Sequence, residues 1–195
     1  FINNFKDDYS NKFEIFQAAE EAKINLGVLC ALLQAGALDG SYRQSRSKIV
    51  YEAQLWNLLT LREKKYVYQF AVEYNYDLVK IIKKLIEFQD EKGRVVIKES
   101  RLKTIKKKAD LYKEIFTLNS QSEEFANWYY ERHLLGYSYS STLRNVFSKK
   151  RQSLITISTM HETDSDMRVV SACVVEKSIS RISKNGNKYL KLIVS

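Results

Sequence analysis

From residue 9 to about residue 150, apolar side chains return every third or fourth position; beyond that they return every second one. The first rhythm predicts helices and the second strands, because side chains repeat every ~3.6 residues around a helix and every ~2 along a strand. Phe13, Phe16, Ala19 and Ala22 share a face of a first helix, and Ile24-Asn25 marks the break before a second. In that second helix Leu26, Leu29, Leu32 and Leu33 line up, until Ala35-Gly36-Ala37 interrupts them and Leu38-Asp39-Gly40 leads into a basic, polar stretch. A third helix is expected over about 41–61, with Ile49, Ala53, Trp56 and Leu59 in a stripe. REKKYVYQFAVEY and DLVKIIKKLIEFQDEKG follow as a fourth and fifth, with Asp77 as N-cap and Gly93 as stop. VVIKES reads as a short extended link. Leu102, Ile105, Ala109, Tyr112 and Phe116 then describe one more inward face, and SEEFANWYYERHLLG and SSTLRNVF complete the helical part.

After Lys149-Lys150-Arg151 the segments LITIST, MRVVSACVVEKSISRI and KYLKLIVS alternate, rich in Val, Ile, Ser and Thr. Asn185-Gly186 between the last two predicts a hairpin. So few strands with free edges are marginal by themselves, so they read as the opening of a β-barrel. The expected organisation is a helical domain over 1–150 and the start of a β domain over 151–195, a mainly α fold with a C-terminal β part.

Composition adds a partner class. An apolar content of 45% with 28% charged residues is that of a globular protein, and 195 residues suffice for a real core. Lys or Glu cuts every apolar run short of a membrane span, and FINNFKDDYS has neither a basic leader nor a small-residue cleavage site. A cytoplasmic protein without a membrane partner is therefore expected and, because the sequence begins with Phe rather than Met, so is a longer parent chain. Cys30 and Cys173 stand far apart in unlike segments, which suits a reducing compartment better than a disulfide framework. The net charge of +9 makes an acidic partner the expectation, nucleic acid being the commonest.

Catalytic chemistry finds little support. The two histidines, His133 and His161, have no neighbouring Cys or His to build a zinc site, and no phosphate-loop, dinucleotide or hydrolase motif occurs. Asp164 and Asp166 have the spacing of a two-metal carboxylate pair but lie in HETDSDM, where Asp and Ser are common turn formers. No catalytic residue and no metal ligand is assigned, and no cofactor is expected in this segment.

Two stretches do suggest contacts. The corner at Gly36 and Ala37 has the form of a helix–hairpin–helix, which presents backbone N–H groups and the positive end of the next helix to a DNA phosphate. Gly36 permits a positive φ and close approach, and Arg43, Arg46 and Lys48 add charge on the same side. The competing reading is a plain helical corner with Gly36 just past the helix end and Asp39 as N-cap. The second stretch runs from Lys92 to Lys108, eight cations against the single acid Glu99, with Lys98, Arg101 and Lys108 pointing broadly one way. It reads either as a solvated face or as a phosphate contact.

Three pieces in order resemble the C-terminal region of the bacterial or phage replicative DNA polymerase III alpha subunit. FEIFQAAEEAKINLGVLCALLQAGALD, Phe13 to Asp39, is similar to the family's aromatic-rich helix and "LI-x-x-GAFD" corner, with Arg43 matching the Arg that follows. WYYERHLLGYSYSSTL resembles "E-x-x-x-LG-x-Y-x-S-x-HPL" through Glu131, Leu135, Gly136, Tyr137, Ser138 and Leu143, although the His-Pro is missing. MRVVSACVVEKSISRISKNGNKYLKLIVS resembles the first strands of the OB domain that follows, Lys184 to Lys188 standing at its basic turn. The resemblance implies a helix–hairpin–helix domain that grips duplex DNA non-specifically and aids processivity, followed by the first strands of an OB-like barrel near single-stranded template. It further implies a sliding clamp as partner, for which Gln121 and Phe125 fall in the matching interval although Glu124 stands where an apolar residue is expected. The parent would be a magnesium-dependent nucleotidyltransferase whose palm is not in this chain. DNA contacts are accordingly expected at Gly36, Ala37, Arg43, Arg46, Lys48, Arg101, Lys108, Lys184 and Lys188. The alternative is a protein-interaction module that binds a clamp or replisome partner without touching DNA; a metal-dependent nuclease or transferase using Asp164 and Asp166 is the more distant rival.

Overall fold

A computed structural model describes residues 9–39, 45–109, 122–148, 154–160, 162 and 166–194. The chain divides into two compact units, Phe1–Tyr137 and Ser138–Ser195. The first is helical: α1 Lys12–Glu21, α2 Leu26–Gln34, α3 Arg46–Leu58, α4 Leu61–Phe70, α5 Leu78–Glu87, α6 over 99–109, and α7 Glu123–Leu135. Within the second, α8 is Leu143–Ser148, α9 Ile157–Met160, β1 Val175–Ile182 and β2 Lys188–Val194. No helix among the described residues is long and apolar enough to cross a membrane.

Side-chain caps decide where the helices of the first unit begin, because the first four N–H groups of a helix lack partners within it. Asn11 accepts from the Phe13 and Glu14 N–H groups, Asn25 from Gly27, Ser45 from Lys48 and Asp77 from Lys80. Thr60 and Glu63 form a reciprocal capping box at α4, so the helix expected over 41–61 is shorter at both ends, running from Arg46 to Leu58, and the fourth helix starts at Leu61. Ser45, not Asp39, is the cap of α3. Gly93 does not end α5, which stops at Glu87; its φ of +68° serves a turn that closes the short antiparallel bridge between Gln89 and Val95.

Most of the predicted stripe residues converge on one core, whereas Leu32 is exposed and Tyr112 and Phe116 lie outside the described residues. Phe13, Phe16, Trp56, Leu78, Ile81 and Leu85 are almost wholly buried, and the Phe13 and Trp56 rings stack with centroids 5.3 Å apart. Beside them lies a closed ion pair, Lys12 with Glu52, whose second carboxylate oxygen accepts from the Leu78 N–H at 3.0 Å. Desolvation pushes the Glu52 carboxyl up and the Lys12 ammonium down from their ordinary values, outweighing their mutual attraction. The pair ties α1 and α3 to the N-terminus of α5, where a carboxylate also meets the positive end of the helix dipole.

In the second unit, β1 and β2 form an antiparallel hairpin in which Ser178 faces Leu192 and Ser180 faces Leu190. Its loop is Lys184-Asn185-Gly186, closed by Gly186 N–H to Ser183 O at 3.0 Å and Ser183 N–H to Asn187 O at 2.8 Å, with Gly186 at φ +80°. Asn-Gly thus marks the hairpin, but the turn has three residues rather than two. LITIST forms no strand: Leu154 makes a single parallel bridge to Val170, and the hydroxyl of Thr156 caps a helical turn through the Thr159 N–H at 3.1 Å. A threonine offered a free N–H three residues on can follow either course, which is why strand propensity did not decide this segment.

Candidate functional site

Three features position the corner after α2. Ala37 N–H bonds to Leu32 O at 3.0 Å and Gly36 N–H to Leu33 O at 3.1 Å, the paired bonds of a Schellman motif, with Gly36 in the left-handed region at φ +88°. Gly36 is half-buried and Ala37 exposed. Arg46, in the first turn of α3, is turned inward with its side chain only 7% exposed. Its guanidinium binds Asp39, donates to the Gln34 carbonyl at 3.1 Å and lies 2.7 Å from a carboxylate oxygen of Glu131, which is fully buried on α7. Glu123, at the start of α7, accepts from both the N–H (3.3 Å) and the hydroxyl of Ser47.

The chemical meaning of this arrangement is specific. The positive N-terminal turn of α3 already receives a carboxylate, and Arg46 already has two carboxylates and a carbonyl. The corner as placed holds α7 against α2 and α3. Lys48 reaches Asp77 at 2.6 Å, and Arg43 lies outside the described residues.

A different cationic surface is open. On α6, Leu102, Ile105 and Ala109 face the core, and helical geometry turns Lys103 and Lys107 to the opposite side with Lys108 at one flank. All three lysines are exposed; Lys103 has only a solvent-exposed pair with Glu99 at 3.4 Å, and Lys107 and Lys108 have no ion pair among the described residues. Arg101 does not join them: it donates to Glu63 at 3.1 Å and to the Leu58 carbonyl, bracing the start of α4. Nearby, Asp90 gathers Arg62 and Arg94. The Arg94 N–H, both guanidinium groups and the Lys92 N–H hold its carboxyl at about 2 against the effect of burial.

The hairpin of the second unit has two unlike faces. The register puts Lys177, Ile179 and Arg181 on one face with Ile193, Lys191 and Tyr189, and puts Leu190, Leu192 and Ile182 on the other. Both faces are largely exposed, and Lys184 and Lys188 flank the turn in solvent. Cations interleaved with an aromatic ring on an open sheet face suit a phosphate backbone and its bases. Sequence reading picked out the turn lysines but not Lys177, Arg181 and Lys191, although their odd-numbered spacing within the two strands was visible.

Gln121 lies outside the described residues, while Phe125 sits in the first turns of α7, partly exposed and stacked on Trp128 at 5.8 Å. His133 is exposed and stacks on Tyr129 at 6.0 Å, extending this aromatic row. Asp166 is exposed in a turn, Asp164 and His161 lie outside the described residues, and no metal-holding group of His, Cys, Asp and Glu occurs among the described residues. Comparison with family models, with curated proteins and with solved structures gave no match.

Proposed function

We propose that this chain is the duplex-gripping, processivity-enhancing region of a replicative DNA polymerase of the DNA polymerase III alpha type, with its β segment, the start of an OB-like barrel, near single-stranded template. The observation that carries the reading is that Arg46, Lys48 and Arg101 are held by carboxylates of the helical unit, whereas Lys103, Lys107 and Lys108 stand exposed together on the outer side of α6. The helix–hairpin–helix corner then serves as scaffold, with Arg46 holding α7. Lys103, Lys107 and Lys108 contact phosphates, and Lys177, Arg181 and Lys191 serve the single strand on the hairpin. Such contacts ignore base identity, and their affinity comes from counterion release. Magnesium chemistry belongs to the palm of the parent enzyme, and no residue here is assigned to it. The test is the salt dependence of binding to a mixed-sequence duplex, which should be steep and should weaken when the three α6 lysines are replaced.

A second reading, a module for a clamp or another replisome protein, is favoured by the exposed aromatic row Phe125–Tyr129–His133 on α7. Glutamate at Lys103, Lys107 and Lys108 separates the two, because only the DNA reading requires duplex affinity to collapse.

A further inference from the structure

The helical unit carries an apolar groove that neither reading uses. It has a volume of about 460 Å³ and lies where α3, α5 and α6 meet, with Tyr51 and Leu55 of α3 in its floor. One wall is Val79, Ile82 and Ile86 of α5, with Lys83 at its rim. The other is Leu102, Ile105 and Ala109 of α6, with Lys106 at its rim. The two walls repeat one pattern: apolar residues at i, i+3 and i+7, and a lysine at i+4. Two stripes at that spacing present ridges and grooves for the side chains of one more helix. Each wall covers two turns of helix, ~10 Å, so the guest needs only two to three turns.

Charge selects the guest. Both rim lysines are exposed, neither has an ion pair among the described residues, and no acidic residue lines the groove. We infer that this groove is a docking site for a short amphipathic helix of a partner protein whose apolar stripe is flanked on both sides by carboxylates. Lysines on opposite walls call for acids on both flanks of the stripe, which a helix supplies and a single-headed fatty acid does not. Apolar side chains fill the floor, and the paired rim charges set orientation and exclude basic helices.

The experiment uses the full chain and a fluorescein-labelled peptide with leucines at i, i+3, i+4 and i+7 and glutamates on both flanks. A matched peptide carries lysines in place of the glutamates. Fluorescence anisotropy should show saturable binding of the acidic peptide and binding of the basic one weaker by roughly tenfold or more. In the Lys83→Glu/Lys106→Glu variant, with helicity checked by circular dichroism, the preference should reverse. Because reversal is a gain for the basic peptide, a loss of folding cannot imitate it. The inference is overturned by equal binding of both peptides, by no saturable binding of the acidic one, or by an unreversed preference in the variant. It is equally overturned if oleate displaces the acidic peptide while unlabelled acidic peptide does not, or if the peptide merely dissociates a self-associated chain.

Discussion

Replacing Arg46 by alanine distinguishes a structural strut from a DNA contact. The arginine faces Glu131, which has no exposure to solvent, and Asp39, whose side chain is 43% exposed. Removing it takes the Arg46 cation away from the buried Glu131 carboxylate, and breaking a buried pair in this way costs about 3–5 kcal/mol. Asp39 adds little, because its partly exposed charge is recovered by water. The Gln34 carbonyl at the end of α2 also loses a donor, worth about 1 kcal/mol net. The total approaches the whole stability of a small domain, about 5–15 kcal/mol. Urea unfolding followed by tryptophan fluorescence reads it directly, since Trp56 and Trp128 both lie in the helical unit and both are buried. Replacing Glu131 by glutamine in the Arg46→Ala background should return part of the loss, because the buried charge is then gone. An Arg46→Ala variant within about 0.5 kcal/mol of the parent, the range of ordinary surface substitutions, would refute the strut.

Other outcomes follow from the same physics. Lys23 closes α1 in the left-handed region at φ +55°, with Lys23 N–H to Glu20 O and Ile24 N–H to Ala19 O completing a Schellman motif. Lys23→Gly should therefore stabilise by about 0.5–1 kcal/mol, seen as a higher urea midpoint. Asp90 titrates at about 2 when folded against an ordinary 3.8, so the unfolded chain takes up its proton first as pH falls. Its stabilisation is complete above 3.8 and disappears towards 2; the stability gap between the parent and Asp90→Asn should close across that window and stay constant above it. Arg101→Ala should destabilise by about 1–2 kcal/mol through Glu63 and the Leu58 carbonyl, whereas Lys107→Ala should leave the unfolding curve unmoved.

Much of the fold was legible from the chain. Stripes such as Phe13–Phe16–Ala19 and Ile49–Ala53–Trp56 are buried as their spacing requires, because an apolar face at helical period has no other stable place. Asp77 caps its helix and Asn185-Gly186 marks its hairpin, since both signals are local. Thr60-Leu-Arg-Glu63 was a readable capping box that sets the boundary between the third and fourth helices more sharply than the apolar stripes do. The candidate site was less legible. Which arginine meets a buried acid depends on partners far along the chain: Glu131 for Arg46, Glu63 for Arg101. Only tertiary packing separates those cations from Lys103 and Lys107, which look the same in the sequence. LITIST carries strand composition, yet its Thr156 hydroxyl finds a helical N–H three residues on.

The central claim, that the outer face of α6 grips duplex DNA through phosphates, rests most directly on one titration. Binding of a mixed-sequence duplex is measured between about 50 and 200 mM salt for the parent chain and for the Lys103→Ala/Lys107→Ala/Lys108→Ala variant. Log affinity should fall linearly with log salt in the parent, and the variant should bind more weakly with a slope shallower by about one for each lysine that contacts a phosphate. Affinity independent of salt, or a variant whose affinity and slope match those of the parent, would contradict the account.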